Sequence, residues 1–270
     1  MASLQPKFRE EQVAIITSFI RHHLKDSRAN GLVVGMSGGV DSSLVAKLCV
    51  GAAGRDKVVG VWSGEGAAEG QDYGDARDWA KALGIPLRTV DITPLVASFG
   101  HALEIKETSR VPLGNVKARV RMIILYYIAN TEGRLVMGTG NKSELAMGYF
   151  TVFGDGGADF LPIGDLYKTQ VREMAAFLGV PKRIIDKVPT AGLWPGQTDE
   201  GELGIAYADL DRVLLGIEIH LSPEEIAAQA GVPLAKVRDV EALLAQSVHK
   251  RKPPLVPKIG IRTFGLDWRE

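Results

Sequence analysis

The sequence predicts an α/β protein built on a mostly parallel, doubly wound sheet, with a helical C-terminal extension. Three observations carry this expectation. Short apolar runs alternate with helix-length runs through the first half of the chain, the pattern of strand–helix–strand units. Glycine-rich segments, "GMSGGVDSS" (35–43) and "GTGNKSE" (138–144), follow two of the strand-like runs, where open parallel sheets bind ligands. The C-terminal part reads as helical.

The elements follow in order. Val13, Ile16, Phe19, Ile20 and Leu24 recur at helical spacing, so a helix ends before Gly31. "LVVG" (32–35) reads as a buried strand, and "SSLVAKLCV" as the helix after it. "VVGVW" (58–62) is a second strand, and "DARDWAKALG" its helix, stopped at Gly84. "PLRTVDI" (86–92) is a third strand. A long helix is predicted over 116–130, and "RLVMG" (134–138) is a fourth strand. Two long irregular segments come next, "GYFTVFGDGGADFLPIGDLYK" (148–168) and "VPTAGLWPGQTDEGELG" (188–204). Such segments inside a compact domain are usually functional loops. Ser222, Pro223 and Glu225 form a capping box that opens a C-terminal helix.

Composition narrows the class. The chain has 270 residues, 46% hydrophobic and 24% charged, as expected of one large globular domain spanning 1–270. Lys+Arg and Asp+Glu both number 32, so a general nucleic-acid-binding role is not expected. The single cysteine, Cys49, excludes a disulfide framework and a cysteine-rich metal site, and it reads as an inert packed thiol. No apolar run reaches membrane length, and the N-terminus lacks a signal-peptide core, so a cytoplasmic location is expected.

The segment "GMSGGVDSS" poses the chemical question. It contains the nucleophile-elbow pattern G-x-S-x-G after a strand. That reading lacks an oxyanion-hole loop before it and a downstream acid-then-histidine order, and it leaves Asp41, Ser42 and Ser43 unexplained. A phosphate loop explains more. Glycines admit close backbone approach, the serines add donors, and the following helix points its positive end at the same place. Asp41 would repel a bare phosphate, which suggests a bridging Mg²⁺. Lys168 is a mobile point charge, Arg119 a planar fork, and Glu144 and Asp41 are acceptor-only carboxylates.

The hexad "SGGVDS" resembles the pyrophosphate loop of the ATP pyrophosphatases, which adenylate a substrate and release pyrophosphate. Further segments narrow the resemblance to the ammonia-dependent NAD synthetase family: "GNVKARVRM" (114–122), "GTGNKSE", "GYFTVFGDGGAD" (148–159), "DLYKTQV" (165–171), "PTAGLWPGQTDEGELG" (189–204) and "HKRKPP" (249–254). The resemblance implies an adenine nucleotide alpha hydrolase-like fold. It implies ATP contacts at Gly35, Met36, Ser37, Gly38, Gly39, Val40, Asp41, Ser42, Thr139, Lys168 and Thr190. Asp41 and Glu144 would hold Mg²⁺, and Arg119, Asp159, His249 and Lys250 would contact deamido-NAD. Asp155 is the candidate to orient ammonium or take its proton, alongside Asp41 as a catalytic residue. Family members often carry lysine after "YFT", where this chain has Val152, so Val152 is not a candidate. His22, His23, His101 and His220 receive no function.

The implied reaction converts ATP, deamido-NAD and ammonia to AMP, pyrophosphate and NAD. Another adenylating ligase, such as a GMP synthetase-like amidase, and a non-catalytic nucleotide-binding module are the rivals. Only one helix precedes the first strand, so no glutaminase domain is expected and ammonia is the expected nitrogen donor. "VRMIILYYIA" is apolar almost all round. A helix on the outside of a sheet should keep one wet face, so a homodimer contact is expected to cover it, with Ile124 in the interface.

Overall fold

The computed structural model describes residues 4–66, 68–106 and 110–261. The chain runs α1 (Glu11–Asp26), β1 (Gly31–Gly35), α2 (Val40–Ala53), β2 (Val58–Gly64), α3 (Gly70–Leu83), β3 (Leu87–Asp91), α4 (Thr93–Ala102), α5 (Arg110–Glu132) and β4 (Arg134–Met137). The helices α6 (Lys142–Met147), α7 (Lys168–Phe177), α8 (Lys182–Ile185), α9 (Asp199–Leu203), α10 (Tyr207–Glu218), α11 (Pro223–Ala230) and α12 (Leu234–Gln246) follow. The four strands form one parallel sheet in the order β3-β2-β1-β4. The α/β expectation therefore holds.

Alternation along β1 explains why helices cover both faces. Leu32 and Val34 join a core with α1, α2, α3 and α7, including Ile20, Leu48, Trp79 and Met174. Val33, between them, faces the other way and packs with Val59, Val61, Ile128 and Val136 beneath α5. Cys49 is fully buried on α2, and burial pushes its thiol far above the ordinary range, so it packs and does not react. A separate core of Leu210, Val213, Ile226, Val237 and Val240 builds the helical C-terminal unit. There Ser222 accepts the Glu225 N–H, and its own N–H donates to the Glu225 carboxylate at 2.8 Å, as the capping pattern predicts.

The strand order places the ligand site. β2 lies on one side of β1 and β4 on the other, so the connections leave β1 and β4 in opposite directions. The crevice at their carboxyl ends is the topological switch point. Both glycine-rich segments open there.

Two elements differ from expectation. Among the described residues helix α5 runs from Arg110, ahead of the predicted 116, and it accommodates Pro112 near its N-terminal end, where a missing N–H costs little. Gly114 also belongs to it, and a Cβ there would come within 3.1–3.2 Å of the Leu193 and Trp194 side chains, which favours glycine at that point. The helix is not buried all round: Ile123 and Tyr127 are 54% and 71% exposed, and Ile124 packs half-buried against the sheet. The outward apolar positions are therefore Ile123 and Tyr127, which corrects the placement of Ile124. The first long irregular segment also supplies an edge pairing. Phe160 bridges Met137, and Asp159 N–H donates to the Val136 carbonyl at 2.9 Å, which covers the outer edge of β4.

Candidate active site

The loop between β1 and α2 has one position that only glycine can fill. Gly38 has φ +79°, and a Cβ there would lie 2.2 Å from the Asp72 carbonyl oxygen. Hydroxyls tie the loop together. Ser42 Oγ accepts the Ser37 N–H at 3.2 Å and lies 3.1 Å from Ser37 Oγ, and Ser37 Oγ accepts the Gly39 N–H at 3.3 Å. Met36 and Val40 are buried, so they offer only backbone. Helix α2 starts after Gly39 with no side-chain cap, which leaves its first N–H groups for an anion.

Facing this loop is a cluster drawn from three distant segments. Lys168 opens α7 and is only 2% exposed. Its Nζ lies 2.6 Å from Asp41 Oδ2 and 3.1 Å from Glu144 Oε1. It also sits 5.1 Å from the Tyr207 ring centroid. Asn141 completes the set: its Nδ2 donates to Asp41 Oδ1 at 2.9 Å, while its Oδ1 accepts the Glu144 N–H at 3.0 Å. Sequence reasoning missed Asn141. The signal was present, because N-x-x-E in "NKSE" is a capping box.

The electrostatics follow from burial. Glu144 is pushed up to about 7, first by burial and then by the Asp41 charge, with Lys168 pulling the other way. Burial alone would lower Lys168, but Asp41 and then Glu144 raise it well above the ordinary lysine range, so the ammonium stays charged. No group of three or more His, Cys, Asp or Glu suited to a metal occurs among the described residues. Asp41 and Glu144 are a two-carboxylate, all-oxygen set. That fits a hard cation such as Mg²⁺, which takes one or two carboxylates and completes its shell with phosphate and water.

A second group surrounds the segment 148–157. Arg119, exposed on α5, donates to the Val152 carbonyl at 3.2 Å. Lys250 Nζ donates to the carbonyls of Gly148 and Phe150 at 2.7 and 3.0 Å. Asp155 Oδ1 accepts the Thr151 N–H at 2.9 Å. Asp155 is exposed, and desolvation by the atoms around its carboxyl raises it, against the Thr151 hydrogen bonds and the Lys250 charge. Arg121, two residues beyond Arg119, was also missed. Its guanidinium donates to Ser63 O at the end of β2, and its field includes Glu65 and Asp155.

Other candidates sit apart from these two groups. Asp159 is engaged by its own chain, accepting Val136 N–H at 2.7 Å and Tyr126 O–H at 3.2 Å. His249 is exposed, with Nδ1 3.0 Å from the Gln246 carbonyl. Thr139 lies just past β4. Thr190 is exposed in the second long loop, where its hydroxyl accepts the Gly192 N–H at 3.1 Å.

That second loop is tied to the phosphate loop by Lys187, whose Nζ donates to Gly38 O at 3.0 Å, Asp72 at 2.8 Å and Asp75 at 2.7 Å. Arg183 adds a 2.7 Å bond to Asp75, which is 2% exposed. Burial raises the Asp75 carboxyl, but the Lys187 and Arg183 hydrogen bonds outweigh it and hold the group below its usual range. A depressed carboxyl contributes stability above its unfolded value and loses it as pH falls through its folded value. Acidification below about pH 4 should therefore lower the melting temperature of the wild type more than that of Asp75→Asn. Parallel calorimetric profiles for the two would remove this contribution.

Comparison with known proteins points in one direction. A family model described as NAD synthase matches residues 12–254. The NH(3)-dependent NAD(+) synthetase of Methanocaldococcus jannaschii is 46% identical over 252 residues, 93% of this chain and 97% of that protein. Among solved structures, the NMN synthetase of Francisella tularensis superposes with a TM-score of 0.80 at 35% identity, covering 93% of this chain and 100% of that one. The NH3-dependent NAD synthetase of Campylobacter jejuni, solved with a nitrate ion, gives 0.78 at 27% identity, covering 92% and 98%.

Proposed function

The chain belongs to the NAD synthase family, and from that premise we propose that it amidates deamido-NAD with ammonia, converting ATP to AMP and pyrophosphate. The observation that carries this reading is the Asp41–Lys168–Glu144 cluster facing the "SGGVDS" loop at the switch point of the sheet.

The chemistry requires activation, because a carboxylate offers only oxide as a leaving group. The nicotinate carboxylate attacks the α-phosphorus of ATP, and the bond to pyrophosphate breaks. The N–H groups at the start of α2 and the Lys168 ammonium meet the charge of the departing pyrophosphate. Bound Mg²⁺, held by Asp41 and Glu144, would supply further charge neutralisation on the phosphates. Ammonia then attacks the acyl carbon, AMP leaves, and the new nitrogen sheds a proton. Asp155 is assigned to receive it, and its raised carboxyl supports that role. Arg119, Asp159, His249 and Lys250 are assigned to deamido-NAD. Lys250 acts partly by shaping the segment 148–150, whose carbonyls it holds. Thr139 and Thr190 are assigned to ATP. The loop 188–198 shields the acyl-adenylate from water.

The test is a pyrophosphate-release assay with ATP, ammonium and either deamido-NAD or nicotinate mononucleotide. Release coupled to NAD formation is expected, and preference for the mononucleotide would replace the dinucleotide reading. The nitrogen donor is read in the same assay. Only unprotonated ammonia carries a lone pair, so rates at fixed total ammonium should rise with pH through neutrality. Glutamine freed of ammonia should give no NAD, and rates matching ammonium salts would overturn this part.

No helix of the described residues is long and apolar enough to cross a membrane. We place the enzyme in the cytoplasm as a homodimer, with no nucleic-acid partner. The outward face of α5 is the proposed contact: Ile123 and Tyr127 are exposed there, and α4, which packs against α5, exposes Leu95 and Phe99. Ile123→Glu should yield monomers in sedimentation velocity, because the contact would bury an unpaired charge. An intact dimer would move the interface elsewhere.

A further inference from the structure

We propose that Asp211 is a positioning residue of the ATP site, setting Lys168 and Glu144 at their working separation by clamping the start of α7 to α6. This rests on the reading of Lys168 and Glu144 as ATP-site residues. Asp211 lies on α10 in the C-terminal helical unit and is completely buried. Its Oδ1 accepts the Ser143 hydroxyl at 2.5 Å, and its Oδ2 accepts the Thr169 N–H at 2.8 Å. Ser143 Oγ in turn accepts the Lys168 N–H at 3.0 Å. One carboxylate thus meets the first two N–H donors of α7, one directly and one through a hydroxyl. An anion at a helix N-terminus is favourable, and more so when buried.

The arrangement has a positional consequence. Ser143 precedes Glu144, and Thr169 follows Lys168, so the clamp holds the backbone one residue from each functional side chain. Asp211 feels the Lys168 charge through space. Among the described residues, however, no hydrogen bond joins it to the Lys168 ammonium or to the carboxylates of Asp41 and Glu144, so its direct hold on the cluster is through the backbone of α7 and the Ser143 hydroxyl. The capping box of Asn141 and Glu144 fixes the other side of α6. The two caps together fix the backbones that carry Lys168 and Glu144 relative to each other, and the ion pairs then hold the Lys168 Nζ. A misplacement of about 1 Å at a reacting centre costs on the order of a hundredfold in rate, which is why a clamp at this point matters.

The experiment compares wild type with Asp211→Ala, Asp211→Asn and Ser143→Ala. Calorimetric titration uses α,β-methylene ATP, which cannot release pyrophosphate, with and without Mg²⁺, and then deamido-NAD. Steady-state assays give KM for ATP and for deamido-NAD separately. Asp211→Ala should weaken the analogue and raise KM for ATP by about tenfold or more, while KM for deamido-NAD stays within about twofold. Asp211→Asn keeps an acceptor for Thr169 and should recover part of the loss. If Asp211→Ala does not fold, Ser143→Ala decides, since it keeps the carboxylate and its bond to Thr169, and it should weaken the analogue in the same direction. Folded variants that bind the analogue like wild type, or lose both substrates equally, would overturn the positioning role. A wild type that binds the analogue but forms no NAD would count against the proposed function, while the binding comparison still decides Asp211.

Discussion

Asp41→Asn is expected to reduce pyrophosphate release by on the order of a thousandfold, about 4 kcal/mol of transition-state stabilisation, with a smaller loss of melting temperature than Lys168→Met. The two effects separate for a physical reason. Asparagine is nearly isosteric and keeps an oxygen for the Asn141 amide, which now donates to Asp41 at 2.9 Å, but its NH2 gives up the acceptor that meets Lys168 at 2.6 Å. Lys168 retains Glu144 as its ionic partner. With both carboxylates ionised the cluster carries two negative charges and one positive, so the substitution brings it to neutrality and leaves no buried charge unpaired. What is lost is one of the two hard donors for Mg²⁺ beside the phosphates. Pyrophosphate release measured at saturating Mg²⁺, with a thermal melt of the same sample, checks both statements. Turnover within tenfold of wild type would remove Asp41 from the chemistry.

Lys168→Met is expected to damage fold and activity together. The side chain is almost wholly buried between two carboxylates, and its loss leaves them facing each other without a cation. Removing one partner of a buried ion pair costs about 3–5 kcal/mol. The deficit should depend on pH, with a definite sign. Glu144 is already raised to about 7 with the ammonium present, and losing Lys168 raises it further. A carboxyl raised in the folded state binds more protons there than in the unfolded chain, so stability falls as pH rises through that interval. The melting-temperature deficit against wild type should therefore be larger at pH 8 than at pH 5. Mg²⁺ should recover part of it at pH 8, by replacing the missing positive charge. Activity should fall at least a hundredfold, because a cation aimed at the departing pyrophosphate is lost. A deficit independent of pH would contradict the assignment of Lys168 as the charge that holds the two carboxylates together.

Particular elements show what local pattern reveals and where it stops. The runs at 32–35, 58–62 and 134–138 announce buried parallel strands, because strands covered on both faces are apolar without interruption. The Ser222–Glu225 box announces its helix because capping involves residues three apart. The start of α5 was set too late. The helix reaches back through Pro112 and Gly114, and the crowding of Leu193 and Trp194 over Gly114 that favours glycine there comes from residues far along the chain. Asn141 was legible as a cap, but its second bond reaches Asp41, 100 residues away. Ile124 and Ile123 are indistinguishable by composition. Which of them faces the sheet depends on how the helix is rotated about its axis.

By itself, the sequence determined the strand–helix alternation, the glycine-rich turn that admits an anion, and the residue types able to handle phosphate and a hard cation. Those properties rest on interactions between residues a few positions apart, so they survive in any short window of the chain. Tertiary structure decided the rest. It placed Lys168 against Asp41 across 127 positions and against Glu144 across 24. It buried Asp211 where its carboxylate clamps α7 to α6, and it engaged Asp159 on the edge of β4 rather than leaving it open. The reason is that strand order, not sequence proximity, selects which loop ends share the switch-point crevice. There burial raises the proton affinity of Glu144, and the neighbouring charges of Asp41 and Glu144 raise that of Lys168.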